Sequence, residues 1–303
     1  MMFLYRGESK ILSAVTRRSA PGKFIQLSKG LTHYELSGLQ DGKTVVLIHG
    51  IAGPFGIWTK VADSLMSHGF RILQYDLYGR GYSDRPDVNY DLDFYINQLS
   101  ELLAVLSIRN PIYLVGWSLG GMIAVAYTAK YSNKIEKLIL IAPAGVEISR
   151  PMNAKIAMVP LLGELLMGLF GRQMIVRFAL KELHSDDLVD EFRTIVTEQM
   201  QYEGYLRSFL STLRFCVFED ATKYYRTIGE LGIPVLMISG SEDTILTAAS
   251  RNRIGELIPH LQYQEIRGIG HMPHFERSEE VSNLLINFIS LPTKQAYCWP
   301  TVS

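Results

Sequence analysis

Apolar positions along the 303-residue chain fall into short runs that alternate between two periods. Residues 44–48, 71–75, 111–115, 137–141 and 234–239 are short, mostly apolar and rich in β-branched side chains, as strands buried on both faces must be. Between them, residues 57–68 and 94–106 repeat apolar positions at helical spacing, and residues 121–127 read as a helix that follows the strand at 111–115. Residues 24–28 and 31–36 read as an opening hairpin around Lys29-Gly30. A last strand at 262–266 precedes a last helix at 281–291. This alternation predicts an α/β fold with a parallel sheet covered on both faces.

The alternation stops between residues 147 and 225, where no strand pattern is found. Helical runs rich in Met, Leu and Phe occupy 154–170, 174–183, 188–200 and 202–218. The expected organisation is therefore a leader at 1–22, a core built from 23–146 and 226–291, a helical insertion at 147–225, and a poorly ordered tail at 292–303.

Composition narrows the function classes. Lys plus Arg and Asp plus Glu both number 30, so the formal charge is zero, and no basic stripe points to nucleic acid. The two cysteines, Cys216 and Cys298, make no disulfide framework, which fits a reducing, cytoplasmic setting. Residues 5–30 carry Arg6, Lys10, Arg17, Arg18, Lys23 and Lys29 against Glu8 alone. A solvated leader helix is expected there, with a targeting segment or a membrane-surface contact as the alternatives. The most apolar stretch, 154–170, is shorter than the roughly 20 residues of a membrane span and is interrupted by Pro160, Gly163, Glu164 and Gly168.

Candidate chemistry centres on Gly116-Trp117-Ser118-Leu119-Gly120, a G-x-S-x-G between a strand and a helix. Such a turn exposes the serine hydroxyl at the carboxyl end of the sheet, and the flanking glycines permit close backbone approach. A hydroxyl needs a base, and histidine suits proton transfer near neutrality with its ordinary pKa of about 6.5. His271, in the loop Gly268-Ile269-Gly270-His271 after the last strand, is the favoured base, with His274 as its rival. The orienting acid is expected to be Asp243, at the end of another strand, with Glu242 as the neighbouring alternative. Asp76 is read as a turn-forming or helix-capping residue, and His33, His68, His184 and His260 as surface groups. An oxyanion would need two backbone N–H donors. Leu119 at the helix start supplies one, and Ile51 in His49-Gly50-Ile51-Ala52-Gly53 the other, with Ala52 in reserve. His49 is read as structural, bonding backbone groups.

These segments, with Asp76-Leu77-Tyr78-Gly79-Arg80-Gly81-Tyr82-Ser83-Asp84-Arg85-Pro86, resemble the α/β-hydrolase superfamily over roughly residues 24–290, in its esterase and lipase-like branch with a helical cap. The resemblance implies a mostly parallel eight-stranded sheet, a Ser118–Asp243–His271 triad, and no cofactor or metal. It is similar to monoacylglycerol lipases and carboxylesterases, to carbon–carbon bond hydrolases of ring-cleavage pathways, and to pimeloyl carrier-protein methyl esterases, which share Gly-Trp-Ser-Leu-Gly-Gly. Dehalogenases and epoxide hydrolases of this fold carry an aspartate where Ser118 stands and are excluded. Residues 244–247 lack a proline common in relatives, so a local change at the next helix start is expected.

The insertion is expected to lie over the serine as a lid. Met152, Met158, Leu161, Leu162, Leu165, Leu166, Met167, Leu169 and Phe170 cover more than one helix face. They must pack on the core, line an apolar acyl tunnel or rest on a lipid surface. The expected activity is hydrolysis of a small-molecule ester with an apolar acyl chain. The alternatives are C–C cleavage of an acidic diketone, for which Arg177, Arg193, Arg207 and Arg214 offer cations, and a non-catalytic scaffold.

Overall fold

The computed structural model describes residues 5–147 and 152–292. Eight strands, β1 (Lys23–Leu27), β2 (Gly30–Gly38), β3 (Thr44–Ile48), β4 (Arg71–Tyr75), β5 (Ile112–Trp117), β6 (Ile135–Ile141), β7 (Val235–Gly240) and β8 (Gln262–Ile266), form one sheet in the order β1-β2-β4-β3-β5-β6-β7-β8. β2 runs antiparallel to both β1 and β4, and all other neighbours are parallel. β5 and β7 are buried at every residue, and β3 and β6 at nearly every one, which is why their sequences are continuously apolar rather than alternating. The chain leaves β3 toward β4 on one side and reaches β5 on the other. The carboxyl ends of β3 and β5 therefore border a crevice between diverging connections, the place where open α/β sheets bind ligands.

The helices are α1 (Ala14–Arg18), α2 (Thr59–Ser67), α3 (Leu92–Val105), α4 (Leu119–Lys130), α5 (Met152–Ala157), α6 (Leu162–Lys181), α7 (Val189–Gln199), α8 (Tyr205–Thr212), α9 (Thr222–Leu231), α10 (Ala248–Leu257), α11 (Pro273–Glu276) and α12 (Ser278–Ser290). α4 is buried from Leu119 to Thr128 because β5, β6, α3 and α9 surround it. α12 packs on α2, and α6 packs on α5, α7 and α8.

Several boundaries differ from the sequence expectation. The run at 154–170 is broken at Pro160-Leu161, where Leu161 has a φ of +67°. The two predicted runs on either side of residues 171–173 are instead one helix, α6. Gly171 lies inside it against Met167, where an added Cβ would sit 2.3 Å from the sulfur. The run at 202–218 starts as α8 and widens into a π-turn at Leu213–Val217. α9 begins within the predicted insertion yet packs on α4 of the core, through Tyr225 and Ile228 at helical spacing. α10 was likewise unread, and it starts one residue after Thr247, whose hydroxyl accepts from the Ser250 N–H at 3.2 Å. The predicted tail from 293 onward lies outside the described residues.

The leader is not a solvated helix. Only Ala14–Arg18 is helical, and the preceding segment is tied to the insertion by backbone pairing. Arg6 N–H donates to Gly168 O at 3.1 Å, and Ser9 and Lys10 donate to Gln201 O at 2.8 and 2.9 Å. The Glu8 carboxylate accepts from the N–H groups of Gly204 and Leu206 at 2.8 and 2.7 Å, at the amino end of α8.

His33 and Asp76 correct two further expectations. His33 is 2% exposed, and Asp76 is 1% exposed. Asp76 accepts from His33 Nδ1 at 2.7 Å, from Tyr82 N at 2.9 Å and from Phe55 N at 2.8 Å, so it fastens three segments rather than capping one turn. The other ring nitrogen of His33 bonds the Pro21 carbonyl. A carboxylate and a carbonyl both accept, so the site favours a proton on each ring nitrogen, the imidazolium form. Burial by itself lowers the His33 pKa, but the hydrogen bond and charge of Asp76 outweigh it and the net shift is upward. Asp76 moves down for the same reason, against its own burial.

The sign of the linkage follows. A raised histidine pKa gives stability that is complete below the unfolded value of about 6.5 and fades as pH rises through the folded value. His33→Gln should therefore destabilise the protein most at pH 6, with the deficit shrinking toward pH 9. Urea unfolding at several pH values checks this, and a deficit that grows with pH contradicts it. Asp76→Asn, which strands the buried imidazolium, should cost about 3–5 kcal/mol.

Candidate active site

β5 ends at Trp117 and α4 begins at Leu119, so Ser118 alone makes the turn. Its φ of +54° and ψ of −116° lie in a region that costs roughly 1–3 kcal/mol for a residue with a side chain. The neighbours explain how the turn fits. A Cβ on Gly116 would sit 2.2 Å from Gly120 O, and one on Gly120 would sit 2.2 Å from Ile48 O. Ser118 N–H donates to Ile141 O at 3.0 Å, and Ser118 O accepts from Gly121, Met122 and Ala144. The elbow is thus pinned to β6 on one side and α4 on the other.

The structure brings the three side chains singled out from sequence into one hydrogen-bonded row. Ser118 Oγ lies 2.9 Å from His271 Nε2, and His271 Nδ1 lies 2.9 Å from Asp243 Oδ2. The carboxylate accepts a hydrogen bond from Nδ1–H, which leaves the Nε2 lone pair for the Ser118 hydroxyl. Asp243 Oδ1 accepts from the N–H groups of Ile245 and Leu246, each at 2.8 Å. Burial would raise the Asp243 pKa, but the charge and hydrogen bond of His271, then the two amides, hold it below the usual carboxylate range. Glu242 instead accepts from Ser241 Oγ at 3.0 Å in an exposed loop.

Leu119 N–H stands at the amino end of α4, and Ile51 lies in the loop after β3. Among the described residues neither amide is paired with a backbone acceptor. The carbonyls of the same loop are fixed from behind. Arg80, fully buried, donates Nε to Ile51 O at 2.5 Å and its other nitrogens to Gly79 O, Ser208 Oγ and Thr212 Oγ1. Gln199 of α7 donates to Ala52 O at 2.6 Å and accepts from Gly81 N at 2.9 Å. His49 bonds backbone groups, as its sequence context suggested: Nδ1 donates to Gly50 O at 2.7 Å and Nε2 accepts from Leu77 N at 2.9 Å. Burial pushes its pKa down to about 4, so it stays neutral.

Trp117, to which the sequence pattern assigns no role, joins the elbow to the loops on either side of it. Its Nε1–H donates to His271 O at 2.8 Å, and a Cβ on Gly50 would meet its six-membered ring at 2.8 Å. His274, the rival base, stacks between Trp117 and Trp58 at 4.7 and 4.3 Å, fully buried and with neither nitrogen hydrogen-bonded. Burial and the charge of nearby His271 drive its pKa well down, so it is a neutral packing group here. Two further carboxylates join the cap to the site. Glu182 accepts from Thr244 Oγ1 at 2.5 Å, next to Asp243, and Glu276 accepts from the N–H groups of His184 and Ser185 at 2.7 Å. No sequence periodicity marks Arg80, Gln199, Glu182 or Glu276. The only signal was the Asp76–Pro86 motif, which contains Arg80.

Comparison with known proteins agrees with this architecture. A family model described as the alpha/beta hydrolase fold matches residues 43–278, and the chain belongs to that family. Lipase 3 of a Moraxella species is 25% identical over 80% of this chain and 76% of its own length. A meta-cleavage product hydrolase from Pseudomonas fluorescens superposes with a TM-score of 0.70 at 26% identity, over 88% of this chain and 97% of that one. The enol-lactonase of Burkholderia xenovorans shares the fold at a TM-score of 0.77 and 20% identity, over 89% of this chain and all of that one. Among the described residues no helix is long and apolar enough to cross a membrane.

Trp117→Phe keeps the ring against Gly50 but leaves the His271 carbonyl without its donor. An unmet buried acceptor costs about 1–3 kcal/mol. If that cost falls on the placement of His271, modification of Ser118 by a fluorophosphonate should slow by roughly 10-fold or more, with the fold retained by circular dichroism. An unchanged rate would show that the indole does not position the histidine.

Proposed function

We propose that this α/β-hydrolase cleaves carboxylic esters with an apolar acyl chain through an acyl-enzyme on Ser118. The observation that carries the proposal is the unbroken row Ser118 Oγ, His271 and Asp243, with 2.9 Å at each step. Ser118 Oγ attacks the ester carbonyl while its proton passes to His271 Nε2. Asp243 stabilises the imidazolium that forms, and the Leu119 and Ile51 amides receive the oxyanion. His271 returns the proton to the leaving alcohol. Water, activated by the same nitrogen, then releases the acid.

Two kinds of support favour an ester with an apolar acyl group. Apolar residues stand beside both ends of the row: Ala144, whose N–H bonds Ser118 O at 3.1 Å, and buried Leu246, whose N–H bonds Asp243. C–C hydrolysis of an acidic diketone would call on a free cation, and four of the insertion's arginines are otherwise engaged or outward. Arg207 pairs with Asp87 at 2.7 Å, Arg214 binds Glu164, Arg193 lies 4.0 Å from Asp190, and Arg177 is on an exposed helix face. The likeness to lipases and to a meta-cleavage product hydrolase is compatible with either bond; the engagement of these four arginines favours the ester.

Ser118→Ala should abolish labelling by a fluorophosphonate probe, while persistent labelling elsewhere would refute the assignment. In a nitrophenyl ester series, kcat/KM should rise by up to about fourfold for each methylene that becomes buried, about 0.8 kcal/mol. A steep preference for acetate, or turnover of a vinylogous diketone far above any ester, would overturn the substrate class.

A further inference from the structure

Helix α6 has two apolar faces. Gly163, Met167, Gly168, Gly171, Ile175 and Ala179 are buried, and the small residues among them let it lie close on α7 and α8. Its exposed side carries two apolar stripes, Leu162, Leu165 and Leu169 on one and Phe170, Met174 and Phe178 on the other, each residue between 37% and 50% exposed. Of the seventeen large hydrophobic residues exposed on the described surface, nine fall between Ile156 and Phe178, so the apolar surface is concentrated in one patch. A helix apolar on both sides is covered by something, and lid packing accounts for only the first face.

The charges on α6 indicate what covers the second. Arg177 and Lys181 share the outward stripe at helical spacing with Phe170, Met174 and Phe178. The only carboxylate of α6, Glu164, is bound by Arg214. Lys181 Nζ lies 4.0 Å from Glu182, whose carboxylate is already held by Thr244 at 2.5 Å. In a two-fold pair of chains this face would meet itself, setting both cations against apolar or cationic residues with no anion to receive them. An anionic lipid surface offers both an apolar layer and phosphates at one depth.

We propose that the outward face of α6 docks on an anionic lipid bilayer, its Leu and Phe side chains at the acyl boundary and Arg177 and Lys181 on lipid phosphates. The inference goes beyond the ester-hydrolase reading and does not depend on Ser118 acting as a nucleophile. It also gives α6 a position of consequence. The helix that rests on lipid runs directly into Glu182, whose carboxylate grips Thr244 beside Asp243.

The test uses the full chain as Ser118→Ala, so that lipids stay intact, in co-sedimentation with phosphatidylcholine vesicles with and without phosphatidylglycerol. Binding is expected on the anionic vesicles and should weaken with added salt. The triple variant Leu165→Ser, Phe170→Ser, Phe178→Ser should lower the partition coefficient at least 10-fold. Arg177→Gln with Lys181→Gln should lower it by about fivefold per cation on anionic vesicles, from about 1 kcal/mol each. Both sets, placed in the Ser118 background, should keep wild-type fluorophosphonate labelling in solution, which shows that they fold. Failure to bind anionic vesicles, or binding untouched by either set, overturns the proposal. A dimer in sedimentation velocity that the triple variant dissolves, without vesicle binding, assigns the face to a second copy instead. Loss of probe labelling with vesicle binding intact would strike only the hydrolase reading.

Discussion

The backbone of Ser118 is the constraint on which the rest of the molecule depends. A residue with a side chain is held at a φ of +54° between a fully buried strand and a fully buried helix. Nothing local stabilises that conformation. It persists because β5 and α4 are enclosed on every side and because the glycines at 116 and 120 allow backbone contacts that any side chain would prevent. The hydroxyl is presented to the crevice as a consequence of the packing of the whole core, and it meets His271 only because β8 lies two strands beyond β6 in the same sheet.

Around this turn the polar groups serve to hold backbone rather than to meet solvent. Arg80 and Gln199 grip the carbonyls of Ile51 and Ala52 and so fix the loop after β3. Glu182 and Glu276 join the cap to the loops that carry Asp243 and His271. Each of these groups is buried, where an unmet polar atom is costly, and each spends its hydrogen bonds on a neighbouring segment. The cap is therefore more than a cover. Four polar contacts at its inner side bear on the loops of the site, so a change in cap position would be felt as a change in site geometry.

The His33–Asp76 pair has a comparable role at the other edge of the site. It fastens β2, the loop after β3 and the segment at 76–86, which supplies Arg80. Its charge is enclosed, so its contribution is conformational: it fixes where three segments meet. A surface reading of His33 failed because a histidine in an antiparallel strand next to polar residues has the same local pattern whether or not a carboxylate from a distant loop lies over it.

By itself the sequence determined the strand-and-helix alternation, the elbow at Ser118, and the choice of Asp243 and His271, because these depend on local periodicity and on residues at strand ends. It located the cap but misplaced its helix breaks: the chain breaks at Pro160-Leu161, while Gly171 is held inside α6 by its packing on Met167 and Leu206. It did not determine α9, whose polar sequence is helical through contact with α4, or the conversion of the leader into an extended strap along the cap. Only the tertiary structure decided the roles of Trp117, Arg80, Gln199, Glu182 and Glu276, and which of the cap's apolar residues face outward. Those depend on partners far away in the chain, and a sequence records each residue's chemistry without recording what is folded against it.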